Sequence, residues 1–201
     1  MVDLNKQIKK PVLIVVEGKD DEGVLSKFSR EWGFDNIQFY GVNGKPTRDN
    51  VMAVIKQSGF VDNVIAFAII RDADDSYENA KRSVEGIISS IELSVKTDFF
   101  ILPNNENTGM LETLLMGIVQ DNDSLKYECI SSFMSCLDSK DVSIPEHRKD
   151  KAKTYAFLSA NNEPGKRINE AAQAGFWNHN HHSLNALKTF LEGLNTANDQ
   201  S

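Results

Sequence analysis

The sequence predicts an α/β fold: an open, mainly parallel sheet flanked by helices, with a helical C-terminal extension. Strand-like and helix-like stretches alternate from residue 11 to residue 103. The strand-like stretches are apolar runs rich in β-branched residues, as expected of parallel strands that are buried on both faces. From Gly109 onward, helical patterns dominate the chain.

Four segments are predicted as strands because of their apolar runs. The first, PVLIVV, leads directly into Glu17 and Gly18, and the fourth, DFFILP, is stopped by its proline. The predicted strands are Pro11–Val16, Asn36–Val42, Asn63–Asp72 and Asp98–Pro103.

The helices are predicted from apolar residues at helical spacing, such as Val24, Leu25, Phe28 and Trp32 in the first of them. A second helix starts within PTRDN and places Val51, Val54 and Ile55 on one face. The first helix is predicted over Asp20–Trp32, and the helices after the second are Ser76–Ile91, Met110–Val119, Leu125–Leu137, Arg148–Ser159, Gly165–Ala174 and Ser183–Leu194. We therefore expect an α/β domain over residues 1–120 and a helical extension over residues 121–201, packed on the same domain.

The chain has 201 residues and a formal net charge of −7. This acidity argues against a general nucleic-acid coat protein, which is usually basic, but not against a site where carboxylates bind cations. No signal peptide is visible, and no stretch approaches the roughly 18 apolar residues of a membrane span. Cys129 and Cys136 are expected to be reduced thiols. We therefore expect a cytoplasmic protein with no membrane partner.

Acidic residues follow two of the predicted strands. Glu17 is the first residue after strand one, with Asp21 four residues later, and Asp72 and Asp74 follow the apolar run of strand three. Ligands of open parallel sheets bind beyond the carboxyl ends of the strands, and residues two apart in an extended segment face the same way. Oxygen ligands at this density suit Mg²⁺ or Mn²⁺. One acid after a strand is usually a cap or a solvated turn, so the predicted metal site depends on both clusters together.

These segments carry a resemblance to a known family. LIVVEGKDD resembles the first motif of TOPRIM domains, and AIIRDADDS resembles their second motif, a D-x-D after a later strand. TOPRIM domains are shared by topoisomerases, bacterial-type primases, small ribonuclease-maturase proteins and OLD-family nucleases. The spacing of Glu17 and Asp21 is closest to the OLD type. The resemblance covers about Pro11 to Pro103, and the chain is similar to small stand-alone TOPRIM-like proteins.

The resemblance implies a divalent ion, Mg²⁺ or Mn²⁺, and a nucleic-acid substrate. Glu17 would be a general acid/base or a metal ligand, while Asp72 and Asp74 would hold the ion. Asp21 would take part in catalysis or hold a second ion, and Gly18 would let the backbone approach the substrate closely. OLD nucleases carry an ATPase domain that this sequence lacks, so we expect a separate ATPase or another protein as a partner. Topoisomerase and primase activities are unsupported, because the sequence shows no active-site tyrosine domain and no zinc ribbon.

Four further residues are candidates for substrate binding or catalysis. Lys19, in the first motif, is the basic residue nearest the predicted metal. Glu112 follows strand four and is either a substrate contact or an acid favoured at a helix N-terminus. Lys151 and Lys153 lie in EHRKDKAKTY, the one dense basic run. Because nucleases of this type often pair metals with a lysine, Lys153 is predicted to be catalytic and Lys151 to bind substrate, although such a run is more often a solvated helix face.

Two other polar segments have weaker signals. NEPGKR contributes Lys166 and Arg167 as further candidates for phosphate contact. WNHNHHS holds three of the four histidines, but their spacing matches no standard zinc site. A polar turn before the last helix is the favoured interpretation of that segment.

Three functions are compatible with these features. The first is metal-dependent phosphodiester hydrolysis or phosphoryl transfer on nucleic acid. The second is a non-catalytic TOPRIM-like module that binds metal or nucleic acid within a defence or repair system of several components. The third is a haloacid-dehalogenase-type phosphatase, which also uses a D-x-D after a strand. That motif usually follows the first strand of the phosphatase fold, whereas here it follows the third. The phosphatase mechanism also gives Glu17 no catalytic role.

Overall fold

The computed structural model describes residues 6–142 and 144–195. Its four strands are Val12–Val16 (β1), Ile37–Gly41 (β2), Ala66–Asp72 (β3) and Lys96–Leu102 (β4). Its helices are Lys19–Glu31 (α1), Arg48–Ile55 (α2), Phe60–Asn63 (α3), Tyr77–Ile91 (α4), Leu111–Asn122 (α5), Ser124–Asp138 (α6), Glu146–Ser159 (α7), Ile168–Gln173 (α8) and Asn185–Asn195 (α9), with a 3₁₀ turn at His182–Leu184 before α9. None of these helices is long and apolar enough to cross a membrane.

The four strands form one sheet in the order β2-β1-β3-β4, and every neighbouring pair is parallel. The predicted α/β fold class is therefore confirmed. The chain moves from β1 outward to β2, crosses back to β3, and then moves outward to β4. The strand order thus reverses between β1 and β3, and the crevice beyond the carboxyl ends of such neighbouring strands is where open sheets bind ligands.

Helices cover both faces of the sheet, which explains why the strands are apolar almost throughout. Val12, Ile14 and Val16 of β1 pack in one core with α1 and with helices α5 to α9. Leu13 and Val15 face the opposite core, which is built with α2, α3 and α4. The helices after β4 therefore share a core with the sheet.

Several predicted boundaries shift for local reasons. The third strand begins at Ala66 instead of Asn63, because Phe60–Asn63 forms the short helix α3. Gly59 starts this helix with a left-handed backbone (φ 89°), and the side-chain amide of Asn63 donates to the carbonyl oxygen of Ile8 over 2.9 Å. Likewise, α8 begins at Ile168, three residues later than predicted.

The end of β2 closely approaches the turn after β1. A Cβ atom on Gly41 would lie 2.8 Å from the carbonyl oxygen of Gly18, nearer than real side chains come. Glycine at residue 41 therefore lets the β1–α1 turn pack against β2, and this contact fixes where α1 and its first acidic residues begin.

Candidate functional site

Glu17 and Asp72 meet at the carboxyl edge of the sheet because β1 and β3 are neighbours. The backbone N–H of Asp72 donates to Glu17 Oε1 over 3.3 Å. The largely buried Arg71 side chain places its Nε 3.9 Å from the same oxygen. The two predicted acidic segments therefore converge on one rim of the sheet.

Asp21 reaches this rim through the start of α1. It is the third residue of the helix, and its Oδ2 accepts the backbone N–H of Gly18 over 2.9 Å. A Cβ atom on Gly18 would lie 3.1 Å from that oxygen. Glycine at residue 18 thus leaves room for the carboxylate of Asp21, a role that differs from the predicted close approach of the backbone to a substrate.

The N-terminus of α5 points at Asp72. The backbone N–H of Leu111, the first residue of α5, donates to Asp72 Oδ1 over 3.0 Å. Unpaired N–H groups in the first turn of a helix carry partial positive charge. The helix therefore holds the Asp72 carboxylate in place and partly offsets its negative charge.

Asp74 is held by the loop that follows β4. Its N–H and C=O exchange hydrogen bonds of 2.8 and 2.9 Å with Gly109, and its backbone is left-handed (φ 51°). Gly109 has φ 131°, and a Cβ there would lie 2.7 Å from Thr113 Oγ1, so only glycine fits. The Asp74 carboxylate forms an ion pair with Lys45, whose Nζ lies 2.6 Å from Asp74 Oδ2.

Glu112 is buried, with a relative exposure of 7%. Lys151 of α7 places its Nζ 3.6 Å from Glu112 Oε1. Burial is the largest single influence and lowers the pKa of Lys151, but Glu112, Tyr155 and Asp21 together raise it more, so its net shift is upward. The structure places Glu112 among the carboxylates with Lys151 as its partner, and its contact with substrate stays a prediction.

Burial and mutual repulsion raise the pKa values of three carboxyl groups. The pKa of Glu17 is raised mainly by burial and next by the charge of Asp74. Burial, followed by the charges of Glu17 and Glu112, raises the pKa of Asp21 to about 7. Burial raises the pKa of Asp72 well above its ordinary value, and three neighbouring carboxylates add to this effect. These interactions define a carboxylate cluster, made of Glu17, Asp21, Asp72, Asp74 and Glu112.

The carboxylate cluster lines a cleft of about 800 Å³. Gly18, Lys19 and Lys151 also line the cleft, so eight of the nine predicted site residues come together there. The ninth, Lys153, does not line the cleft: its Nζ pairs with Asp150 Oδ1 over 3.1 Å. Asp150 also accepts the Thr113 hydroxyl over 2.7 Å, so this pair joins α7 to α5. The position of Lys153 does not support the predicted catalytic role.

Other cleft residues were absent from the predicted site or only secondary candidates. Arg148, Arg167 and His147 add positive or titratable groups to the lining, and Tyr155 adds a hydroxyl. Lys45 contacts the site through its ion pair with Asp74. Acidic and basic side chains therefore line the same cleft, an arrangement suited to a divalent cation and a phosphate group together.

One family model matches residues 11–196, and its description is protein of unknown function (DUF3226). The chain belongs to the DUF3226 family. No curated protein matches the sequence.

Two solved structures are similar to this DUF3226 chain. One is the C-terminal region of the Burkholderia pseudomallei OLD protein, which is 13% identical with a TM-score of 0.47, covering 93% of this chain and 100% of that one. The other is the C-terminal region of the Xanthomonas campestris pv. campestris OLD protein, which is 14% identical with a TM-score of 0.43, covering 94% of this chain and 96% of that one.

A cation at the carboxylate cluster of this DUF3226 chain would need water molecules to complete its coordination. Across residues 6–142 and 144–195, the group of ligand atoms that all lie within 4.8 Å of one another belongs to Asp121, His181 and His182. Within the same residues, no three members of the carboxylate cluster bring their oxygens that close to one another. Magnesium ordinarily keeps several waters in its coordination shell, so this spacing fits Mg²⁺ better than a fully protein-coordinated ion.

The histidines of the DUF3226 chain form a hydrogen-bonded turn. His181 Nε2 lies 3.0 Å from Asp121 Oδ2, and His181 Nδ1 accepts the backbone N–H of Ser183 over 3.3 Å. This pattern assigns the proton of neutral His181 to Nε2, which donates to Asp121. A metal at Nε2 would require the proton on Nδ1, where it would face another donor. The structure thus shows the expected polar turn before the last helix.

Without divalent ions, we expect the raised pKa of Asp21 to make the protein less stable as pH rises from about 4 to about 7. Its pKa is 3.8 in an ordinary setting and about 7 when folded. Between these values the folded state binds more protons than the unfolded state, so raising the pH favours unfolding. Titration of Asp21 lowers the free energy of unfolding by at most about 4 kcal/mol over this pH range.

Urea denaturation in EDTA at pH 5 and pH 8 measures this effect. Asp21→Asn removes the titrating group and keeps an oxygen for the Gly18 N–H. The variant should therefore gain stability relative to wild type at pH 8 and much less at pH 5. If the free energies of unfolding of Asp21→Asn and wild type differ by the same amount at both pH values, the raised pKa of Asp21 is contradicted.

Proposed function

We propose that the protein hydrolyses phosphodiester bonds of nucleic acid with Mg²⁺ or Mn²⁺ at this cleft. The observation that carries the proposal is the convergence of five carboxylates at the point where the strand order reverses, in a cleft that basic side chains also line. Without a cation these carboxylates repel one another, as their raised pKa values indicate. The donor set consists of hard oxygen ligands, which fits these two ions.

Two overlapping groups of carboxylates would hold the metal. Glu17, Asp72 and Asp74 form the first group, because Glu17 interacts with both other residues. Asp21 and Glu112 interact with each other and with Asp72, and form the second group. When bound, a divalent ion would polarise the phosphoryl group and lower the pKa of a bound water.

The remaining groups have roles that follow from their positions. Glu17 lines the cleft, so a carboxylate oxygen of Glu17 that does not hold the metal can exchange a proton with the attacking water or the leaving oxygen. Lys151, Arg148 and Arg167 also line the cleft and would bind phosphates and stabilise the negative charge that develops during cleavage.

The phosphatase alternative accounts for fewer of these contacts. It uses Asp72 as a nucleophile and Asp74 as its acid partner, but it leaves three buried or half-buried carboxylates, Glu17, Asp21 and Glu112, without a role. A nucleophilic role for Asp72 must also accommodate the hydrogen bond from Leu111, which already occupies one of its oxygens. The metal-dependent nuclease uses all five carboxylates.

Cleavage assays with wild type and Glu17→Gln test the proposal. Labelled single-stranded and duplex DNA and RNA are incubated with Mg²⁺, Mn²⁺ or EDTA, beside p-nitrophenyl phosphate as a generic monoester. We expect metal-dependent cleavage of nucleic acid, reduced about 10²-fold or more in Glu17→Gln. Hydrolysis of the monoester alone would favour the phosphatase, and binding without cleavage would favour the non-catalytic module. Undiminished cleavage by Glu17→Gln would contradict the proposed site. A separate ATPase partner remains a prediction.

A further inference from the structure

A groove leads away from the cleft along α1. A neighbouring depression of about 410 Å³ shares Lys19, Asn43 and Asn169 with the cleft, so the two adjoin. A second depression, of about 540 Å³, adjoins the first and shares Lys6 and Arg30 with it. Together the two depressions form what we call the α1 groove.

The direction of the α1 groove follows from the fold. Lys19, Ser26 and Arg30 line it at spacings of 7 and 4 residues, which places them on one side of α1. At 1.5 Å per residue, Lys19 and Arg30 lie about 16 Å apart along the helix. The other wall is β2, with Gly41 near the cleft and Ile37 at the far end. The groove therefore runs from the carboxylate cluster toward the opposite edge of the sheet.

The α1 groove is basic although the whole chain has a net charge of −7. The charged residues among its described lining are Lys6, Lys9, Lys10, Lys19, Arg30 and Glu22. The single acid is already compensated: Glu22 pairs with Lys6 and accepts the Gly41 N–H over 3.0 Å. An uncompensated positive strip of this kind attracts a polyanion.

The contacts that these cations make within the protein leave donors for a ligand. Lys10 donates to the carbonyl oxygen of Ile37 over 3.1 Å, and Arg30 donates to the Gln173 side chain over 2.7 Å. An ammonium group has three N–H donors and a guanidinium has five, so each can also bind a phosphate. Lys9 and Lys19 are exposed.

The α1 groove offers charge without surfaces for base stacking. Its aromatic lining residues, Phe39 and Tyr40, are buried at 2% and 0% exposure, so bases cannot stack on them. Phosphate contacts position a strand without reading its sequence. The chemistry of this surface therefore matches the backbone of a nucleic-acid strand.

We propose that a single strand of nucleic acid, extending from the cleft, binds along the α1 groove through its phosphates, independently of sequence. The proposal rests on the proposed function, since it extends the same substrate beyond the metal site. At about 3.4 Å per nucleotide of a stacked strand, 16 Å accommodates about five nucleotides. Substrates longer than the cleft should therefore bind more tightly than short ones.

Fluorescence anisotropy in EDTA, where cleavage is blocked, tests this binding site. The test variant is Lys9→Ala/Lys10→Ala/Arg30→Ala. The matched control, Lys56→Ala/Lys140→Ala/Lys188→Ala, removes the same number of charges outside the α1 groove. For a 20-nucleotide single strand we expect the test variant to bind at least about 10-fold more weakly, with its salt slope reduced by about 2, whereas the control keeps most of the affinity. A trinucleotide, which does not extend along the groove, should bind both variants alike.

Several outcomes would overturn the inference. Equal losses of affinity in the two triple variants would reveal a general charge effect, and a loss confined to duplex DNA would exclude a single strand as the occupant. If wild type cleaves nucleic acid but the test variant binds the 20-mer as wild type does, only the α1 groove is disproved. If wild type neither binds nor cleaves nucleic acid, the proposed function fails as well.

Discussion

Replacing Asp72 with asparagine is expected to abolish metal-dependent cleavage, with a loss of about 10³-fold or more. Asp72 interacts with three other members of the carboxylate cluster and is therefore its central residue. Asparagine keeps an oxygen to accept the Leu111 N–H but loses the negative charge that attracts a cation. Turnover with Mg²⁺ and with Mn²⁺ measures the effect.

The same substitution should leave the metal-free protein at least as stable as wild type. The raised pKa of Asp72 shows that its charge is unfavourable in the folded state, so removing the charge relieves repulsion. The neighbouring Asp75→Asn is the matched control, because the Asp75 side chain is 74% exposed and does not line the cleft. Full activity in Asp72→Asn, or loss of activity accompanied by unfolding in EDTA at pH 8, would contradict this account.

Replacing Lys151 with methionine is expected to lower turnover about 10²-fold, whereas Lys153→Met should change it by less than about threefold. Lys151 faces the cleft beside Glu112, and Lys153 pairs with Asp150 away from it. The two variants lose the same charge from the same helix, so general electrostatic effects cancel in the comparison.

The Mg²⁺ dependence of turnover should further distinguish the Lys151→Met and Lys153→Met variants. Methionine at residue 151 leaves the buried Glu112 carboxylate without its ammonium partner, so the optimum Mg²⁺ concentration should also change in that variant. A larger loss of turnover in Lys153→Met than in Lys151→Met would restore the role predicted from the sequence and contradict the position of Lys153 in the structure.

The strand core and the acidic rim were predictable from the sequence for a common reason. A strand that is buried on both faces must be apolar throughout, so β1 and β3 stand out, and the acids that follow them must lie at the sheet edge. Asp21 also had a local signal, because a residue three positions after Gly18 can cap the helix that starts there. The spacing alone did not indicate that it would be this buried.

The choice between Lys151 and Lys153 was not predictable from the charge run. Residues two apart on a helix lie about 200° apart around its axis, so only one of them faces the cleft. The packing of α7 decides which: Thr154 and Phe157 are buried, and Asp150 bonds to Thr113 of α5. These contacts join segments about 40 residues apart, which no local pattern reveals.

The Lys45–Asp74 ion pair could not be predicted from the sequence either. Lys45 follows a glycine turn after β2 and looks like an ordinary surface lysine in the sequence. It reaches Asp74 only because β1 separates β2 from β3 by a single strand, which brings their following loops to the same rim. Arg71 carried a clearer signal, as a charged residue that directly follows the five apolar residues of β3.

A calorimetric titration of Mn²⁺ at pH 8 tests most directly whether carboxylates from two strand ends share a cation. It compares wild type with Glu17→Gln, Asp72→Asn and the double variant. If the two residues hold the same ion, each single substitution should weaken Mn²⁺ binding about 10-fold or more. The loss of binding free energy in the double variant should then be much smaller than the sum of the losses in the two single variants. Strictly additive losses would place the carboxylates in separate sites, and wild type that binds no Mn²⁺ would contradict the metal site itself.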